Sequence, residues 1–296
     1  MRLHAFDVVD PVPELNDPHA LAVIRPWIDV GSVGSLLLSC LEAHLGSIEL
    51  AKLARPGNFF DFTRYRPTMT RQENSSEVKV PNTIASYGRQ SGGHDFLFLR
   101  LLEPHSMAEE YIDSVIELFK ALGARRYCLV GSMYDMVPHT RPFLVTGGAS
   151  NLGLQNGLDV ANVKYSDYQG PTTILSVIGQ RAIQLGIETC SMIVHLPNYL
   201  VMEEDYRGEK RLMEVISSLY NSFSMSQEDM ERADAQEQEV RRLAEQIIHQ
   251  EPRLGLILKQ LEANYDSLSK EESEETPLSP EVETFLRGLD KRFRQD

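Results

Sequence analysis

Apolar runs of strand length alternate with helix-length amphipathic stretches, and this alternation constrains the fold more than any other feature. ALAVIRPWI (20–28) is followed by VGSLLLSCLEAHLG (33–46) and then by SIELAKL (47–53). Strand, helix, strand in that order is the signature of a layered α/β domain. HDFLFLRLL (94–102) is apolar without alternation, which predicts a strand buried on both faces. The next helix is predicted to start at Ser106-Met107-Ala108-Glu109, a capping-box pattern, and to end at a left-handed Gly123.

The pattern continues through RRYCLVGSMYDM (125–136), PFLVTGGASN (142–151), a helix from about Pro171 to Leu185 and ETCSMIVHLPNYL (188–200). About six strands are expected, in a mixed or mostly parallel sheet with flanking helices. Residues 59–89 are polar, with Pro67 and Pro81, and read as loops and short edge strands. An amphipathic helix over 205–223 closes an α/β core domain of residues 1–223. Beyond it the character changes to strong helix formers with a narrow apolar stripe at Leu243, Ile247 and Ile248. A helical appendage is expected: a hairpin over 224–266, an acidic linker over 267–279 and a last helix over 280–296.

The net charge of the 296 residues is −14, and residues 223–296, with 18 acidic and 10 basic side chains, contribute −8 of it. Nucleic acids and anionic membranes are bound through clustered Lys and Arg, so neither partner is expected. No run reaches the roughly 18 apolar residues that span a bilayer, and MRLHAFDVVDPVPEL lacks a signal peptide's apolar stretch. Cys40, Cys128 and Cys190 are far apart in apolar settings and read as reduced core residues of a cytoplasmic protein.

Three glycine segments invite a ligand: Gly131-Ser132, Gly147-Gly148-Ala149-Ser150-Asn151 and Gly170-Pro171-Thr172-Thr173, each read as a strand end or helix start. None forms a Walker loop or a complete GxGxxG. Gly170, Thr172 and Thr173 suit an anion at a helix start, and they suit an ordinary cap equally well. GSMYDMVPHTRP (131–142) places Asp135, His139 and Arg141 close together after a buried strand. Asp135 and His139 could transfer a proton and Arg141 could grip a carboxylate or phosphate; alternatively these groups only shape a turn. His44 and His195 read as satisfied core residues. No metal spacing or GxSxG elbow is present, and neither cofactor nor metal is expected.

VGSMYDMVPHTRP, VTGGASN and above all YQGPTTILSVIGQRAIQLGIETCSMIVHLPNYL resemble the proteasome assembly chaperone two family over roughly residues 20–223. The resemblance implies a phosphorylase/hydrolase-like core and assembly into homo-oligomers, with a trimer expected. It also implies a protein partner and a role as an assembly or interaction factor. Archaeal-type members dock through a hydrophobic-Tyr-any residue terminus; Arg294-Gln295-Asp296 differs from it, so docking by that route is not expected. The alternative reading is a binding protein or enzyme for a nucleoside, phosphate or carboxylate, using the 131–142 loop and the 170–173 helix start.

Overall fold

The computed structural model describes residues 1–72 and 75–268. The chain begins with β1 (Arg2–Leu3), β2 (Phe6–Val8), β3 (His19–Arg25), α1 (Val33–Leu45) and β4 (Ile48–Leu53). There follow β5 (Thr68–Gln72), β6 (Ser75–Lys79), β7 (Ile84–Gly88), β8 (Phe96–Leu102), α2 (Ala108–Leu122) and β9 (Arg126–Asp135). The rest comprises β10 (Val145–Ala149), α3 (Leu152–Val160), β11 (Val163–Tyr165), α4 (Ile174–Gln184), β12 (Glu188–Pro197), α5 (Tyr206–Tyr220), α6 (Gln227–Gln250) and α7 (Pro252–Leu268).

Ten strands form one sheet in the order β1-β2-β4-β7-β8-β3-β9-β12-β10-β11. The centre is parallel, with β3 between β8 and β9 and β12 beside β9. Antiparallel pairs extend it through β7, β4, β2 and β1 on one side, and β10 is antiparallel to β12 on the other. Parallel strands covered by helices on both faces must be apolar throughout, which is why β3 is buried from His19 to Ile24.

On one face, Tyr111, Val115 and Phe119 of α2 and Ile174 and Ile178 of α4 join a core with Ala20, Ala22 and Leu99. On the other, Leu37 and Leu41 of α1, Leu158 of α3 and Leu212 and Ile216 of α5 join Leu21, Val23, Phe98 and Val194. Burying each Leu, Ile, Val or Phe among them stabilises by about 1.5–3 kcal/mol, so these two layers hold the sheet. Helix α6 packs along α5 and α7 turns back on α6, with Ala233, Val240 and Ala244 buried. Ser226 caps α6 by accepting a hydrogen bond from the Asp229 amide at 3.1 Å.

Several expectations are corrected. The main sheet has ten strands, not six, because short polar segments also pair. Within 59–89, β7 is an interior strand between β4 and β8, and β5 and β6 form a separate hairpin. Residues 152–165, unassigned in the sequence reading, form α3 and β11. At α2, Met107 takes the cap position at φ 52° without a side-chain bond, since Ser106 Oγ donates to the Asn58 carbonyl instead. Pro171 precedes α4, whose cap is Thr173. Ser267 and Leu268 belong to α7; the rest of the expected linker and the last helix lie outside the described residues.

Candidate functional site

β9 and β12 run parallel and end together, with Asp135 opposite Pro197 and Met133 opposite His195. Two residues 60 apart in sequence therefore meet. His195 Nδ1 hydrogen-bonds Asp135 Oδ2 at 2.7 Å, and His195 Nε2 hydrogen-bonds Thr146 Oγ1 of β10 at 2.8 Å. Burial raises the Asp135 carboxyl, but the His195 bond and charge and the Met136 amide outweigh it and hold it below the ordinary Asp value. A hydroxyl, an imidazole and a carboxylate in series can relay a proton.

The loop from Met136 to Leu144 is stitched to the helical hairpin. Arg141 meets Asp266 of α7 through Nε and Nη2, both at 2.8 Å, and reaches Glu262 at 3.3 Å. Tyr265 donates its hydroxyl to the Pro142 carbonyl at 2.6 Å. His139 Nδ1 bonds the Tyr199 hydroxyl at 2.9 Å, which also accepts from the His139 amide. Burial, with the positive charge of Arg207, holds the His139 imidazole below its usual value.

Two cavities share His139. One, of about 320 Å³, is lined by Arg141, Arg207, Lys210, Arg211 and Arg241, with Glu214 and Glu237. Its cations are held by carboxylates: Arg207 by the buried Asp205 at 2.6 Å, Lys210 by Asp234 at 2.7 Å and Arg241 by Glu237 at 2.6 Å. The other, of about 290 Å³, is walled by Met136, Tyr199, Leu200, Ile247, Ile248 and Leu258. Neither is lined by Thr146 or His195.

Gly170, Thr172 and Thr173 stand apart from this region, lining neither cavity. Thr173 Oγ1 accepts from the Leu175 amide at 3.3 Å and Thr172 Oγ1 bonds Ser176 Oγ at 2.6 Å. The Ile174 amide, which an anion would use, donates to Glu103 Oε1 at 3.2 Å. A carboxylate of the chain itself thus occupies the N-terminus of α4. Gly131 and Gly147 lie inside β9 and β10, where a Cβ would stand 2.4 Å from the Ile28 carbonyl oxygen and 1.8 Å from that of Ser191. Close backbone approach accounts for both glycines. Among the described residues, no group of three or more His, Cys, Asp or Glu side chains could hold a metal ion.

The sequence model of the PAC2 family matches residues 23–244. The chain belongs to the PAC2 family. Its fold is shared with a Mycobacterium tuberculosis protein of unknown function at 23% identity, covering 92% of each chain with a TM-score of 0.76. It is shared with a PAC2 family protein from Streptomyces avermitilis at 23% identity, covering 79% of this chain and 99% of that one, with a TM-score of 0.70. A proteasome-assembly chaperone homologue from M. tuberculosis matches at 19% identity, 75% and 94% coverage and a TM-score of 0.68. No curated protein matches.

Within this PAC2 chain, sequence reasoning missed Thr146 and His195 as partners of Asp135, because strand register alone brings them together. It also missed the cations of α5 and α6. Arg207, Lys210 and Arg211 do carry a signal, since spacings of three and four place them on one helix face.

Proposed function

We propose that this protein is an assembly or interaction factor that works as a homo-oligomer, as a trimer in the cytoplasm, and binds a protein partner. The carrying observation is a group of exposed apolar side chains beside the last strand of the sheet. Among the described residues β11 pairs with β10 alone, and the segment around it exposes Leu152, Val160, Tyr165 and Tyr168 at 82, 77, 75 and 64%. Exposed apolar side chains grouped beside a sheet's outer strand favour association. Membership of the PAC2 family and the likeness to a proteasome-assembly chaperone homologue support the same reading. No described helix is long and apolar enough to cross a membrane.

Light scattering on the purified full chain tests it: a multiple of the monomer mass is expected, falling toward one copy in a Leu152→Glu, Tyr165→Glu double variant. A monomeric wild-type protein at tens of micromolar would remove the homo-oligomer. In the same reading residues 1–223 are the core domain and 224–266 an appended hairpin. Removing 226–296 then leaves a folded core; loss of its circular dichroism signal would show that the hairpin is part of that core.

The second reading is an anion-binding protein or enzyme, favoured by the cationic cavity beside Arg141 and His139. Phosphate, nucleosides and dicarboxylates would be screened by thermal shift, with a hit that Arg141→Ala abolishes. The internal pairing of Asp135 with His195 and of Arg141 with Asp266 weighs toward the first reading.

A further inference from the structure

Two of the three cysteines are brought together by strand register. Cys128 of β9 and Cys190 of β12 are directly paired Cα partners in the parallel ladder. Both are buried free thiols, with Sγ atoms 2.8 Å apart. Neighbouring strands hold paired Cα atoms about 4.8 Å apart, inside the roughly 4.4–6.8 Å range that a disulfide requires. Bond formation therefore needs no change of register.

The surroundings distinguish the two sulfurs from Cys40. Arg126 and Glu188 occupy the preceding pair of same-face positions and bond each other at 2.7 and 3.0 Å. The Tyr220 hydroxyl lies 3.8 Å from Cys128 Sγ. Burial raises the Cys128 thiol, but the Cys190 hydrogen bond, Arg126 and Tyr220 together bring it below its usual value. Cys40 has no such help: burial, with Glu209 and Asp229 nearby, pushes it up to about 11. A cavity of about 280 Å³, lined by Arg126, Glu188, Asn151, Leu154, Gly157 and Ser218, opens over the Arg126–Glu188 pair. Arg126 and Glu188 in its wall precede the two cysteines by about 6.6 Å of strand rise.

We propose that Cys128 and Cys190 form an oxidation site, a buried dithiol that takes up hydrogen peroxide or a small hydroperoxide and closes to a cross-strand disulfide. Cys128 is the attacking sulfur. As its thiolate attacks one peroxide oxygen, the S–O bond forms and the O–O bond breaks. The departing hydroxide leaves as water with the proton that Cys128 released. Cys190 sulfur then attacks the sulfenic sulfur, the S–S bond forms and the S–O bond breaks. The second hydroxide departs as water with the Cys190 proton. Two thiols lose two electrons, and one hydrogen peroxide becomes two waters.

The test uses the full chain, treated with hydrogen peroxide and then denatured under thiol-blocking conditions. The number of titratable thiols is expected to fall from three to one. The intact mass should drop by two hydrogens, and a peptide map should join the Cys128 and Cys190 peptides, with Cys40 still free. In a Cys190→Ala variant the reaction should stop at a sulfenic acid on Cys128, trapped by dimedone. Three surviving thiols in the wild-type protein, a crosslink to Cys40, or oxygen addition without a crosslink would each overturn the site. The wild-type map decides even where the variant fails to fold.

Discussion

Arg141 and Asp266 face each other through two parallel hydrogen bonds of 2.8 Å, which join the β9–β10 loop to α7. Glu262 and Tyr265 hold the same loop from the same helix. A planar guanidinium matched to a planar carboxylate fixes orientation as well as distance. The hairpin is therefore attached by α7 on this loop as well as by α6 along α5.

Replacing Arg141 by Ala removes the clamp and leaves the core contacts alone. Limited proteolysis should cut the Arg141→Ala protein faster within α7, with unchanged cleavage of β9 and β12. Hydrogen exchange should rise over residues 254–266 while staying flat over α5. Equal protection of α7 in both proteins would show that the Arg141 pair does not hold the hairpin and that its other contacts suffice.

The relay at the strand ends makes a second prediction. Removing the buried His195 leaves the half-buried Asp135 and Thr146 without their shared partner. His195→Ala should cost roughly 2–3 kcal/mol in denaturant unfolding. Asp135→Asn should cost roughly 1 kcal/mol at neutral pH, the smaller figure reflecting a side chain 39% exposed to screening. The folded Asp135 carboxyl lies below its unfolded value, so its contribution is present above the ordinary Asp range and is lost as pH falls through the folded value. Wild type and Asp135→Asn should accordingly converge in stability in acid.

What the sequence made legible follows physical lines. Buried parallel strands must be apolar over their length, so β3, β8, β9 and β12 stand out in the chain. The short strands β1, β2, β7 and β11 owe their pairing to neighbours already in place, and two to five residues carry too little periodicity to show it. Gly153, Asn156 and Gly157 disguised α3, whose cap Asn151 is itself a turn former. The Asp135–His195 contact depends on two strands ending in register, and no local motif encodes that.

Gly147 tests the close-approach argument. An alanine there would put its Cβ 1.8 Å from the Ser191 carbonyl oxygen, and backbone atoms in the middle of a ladder cannot swing aside. Gly147→Ala should lower stability by about 3 kcal/mol or more, whereas Gly148→Ala, whose nearest neighbour is the Tyr165 ring at 3.6 Å, should be mild. Matching losses at the two positions would remove the packing explanation.

Glu209 offers a pH prediction of the opposite sign to Asp135. It lies on α5 and is buried, with Asp229 and Arg232 of α6 and Glu204 close by. Burial first, then Asp229 and Glu204, raise its carboxyl to about 7, while Arg232 pulls the other way. An acid raised in the fold is neutral there at pH 5, and its favourable term is fully present below the unfolded value. That term fades as pH rises through about 7, when a charge must be held between the helices. The difference amounts to roughly 2 kcal/mol. Glu209→Gln keeps the shape and abolishes the ionisation, so the variant's stability relative to wild type should rise between pH 5 and pH 8, whatever the other titrating groups do to both proteins. Parallel curves for the two proteins would show that Glu209 is solvated in the folded state.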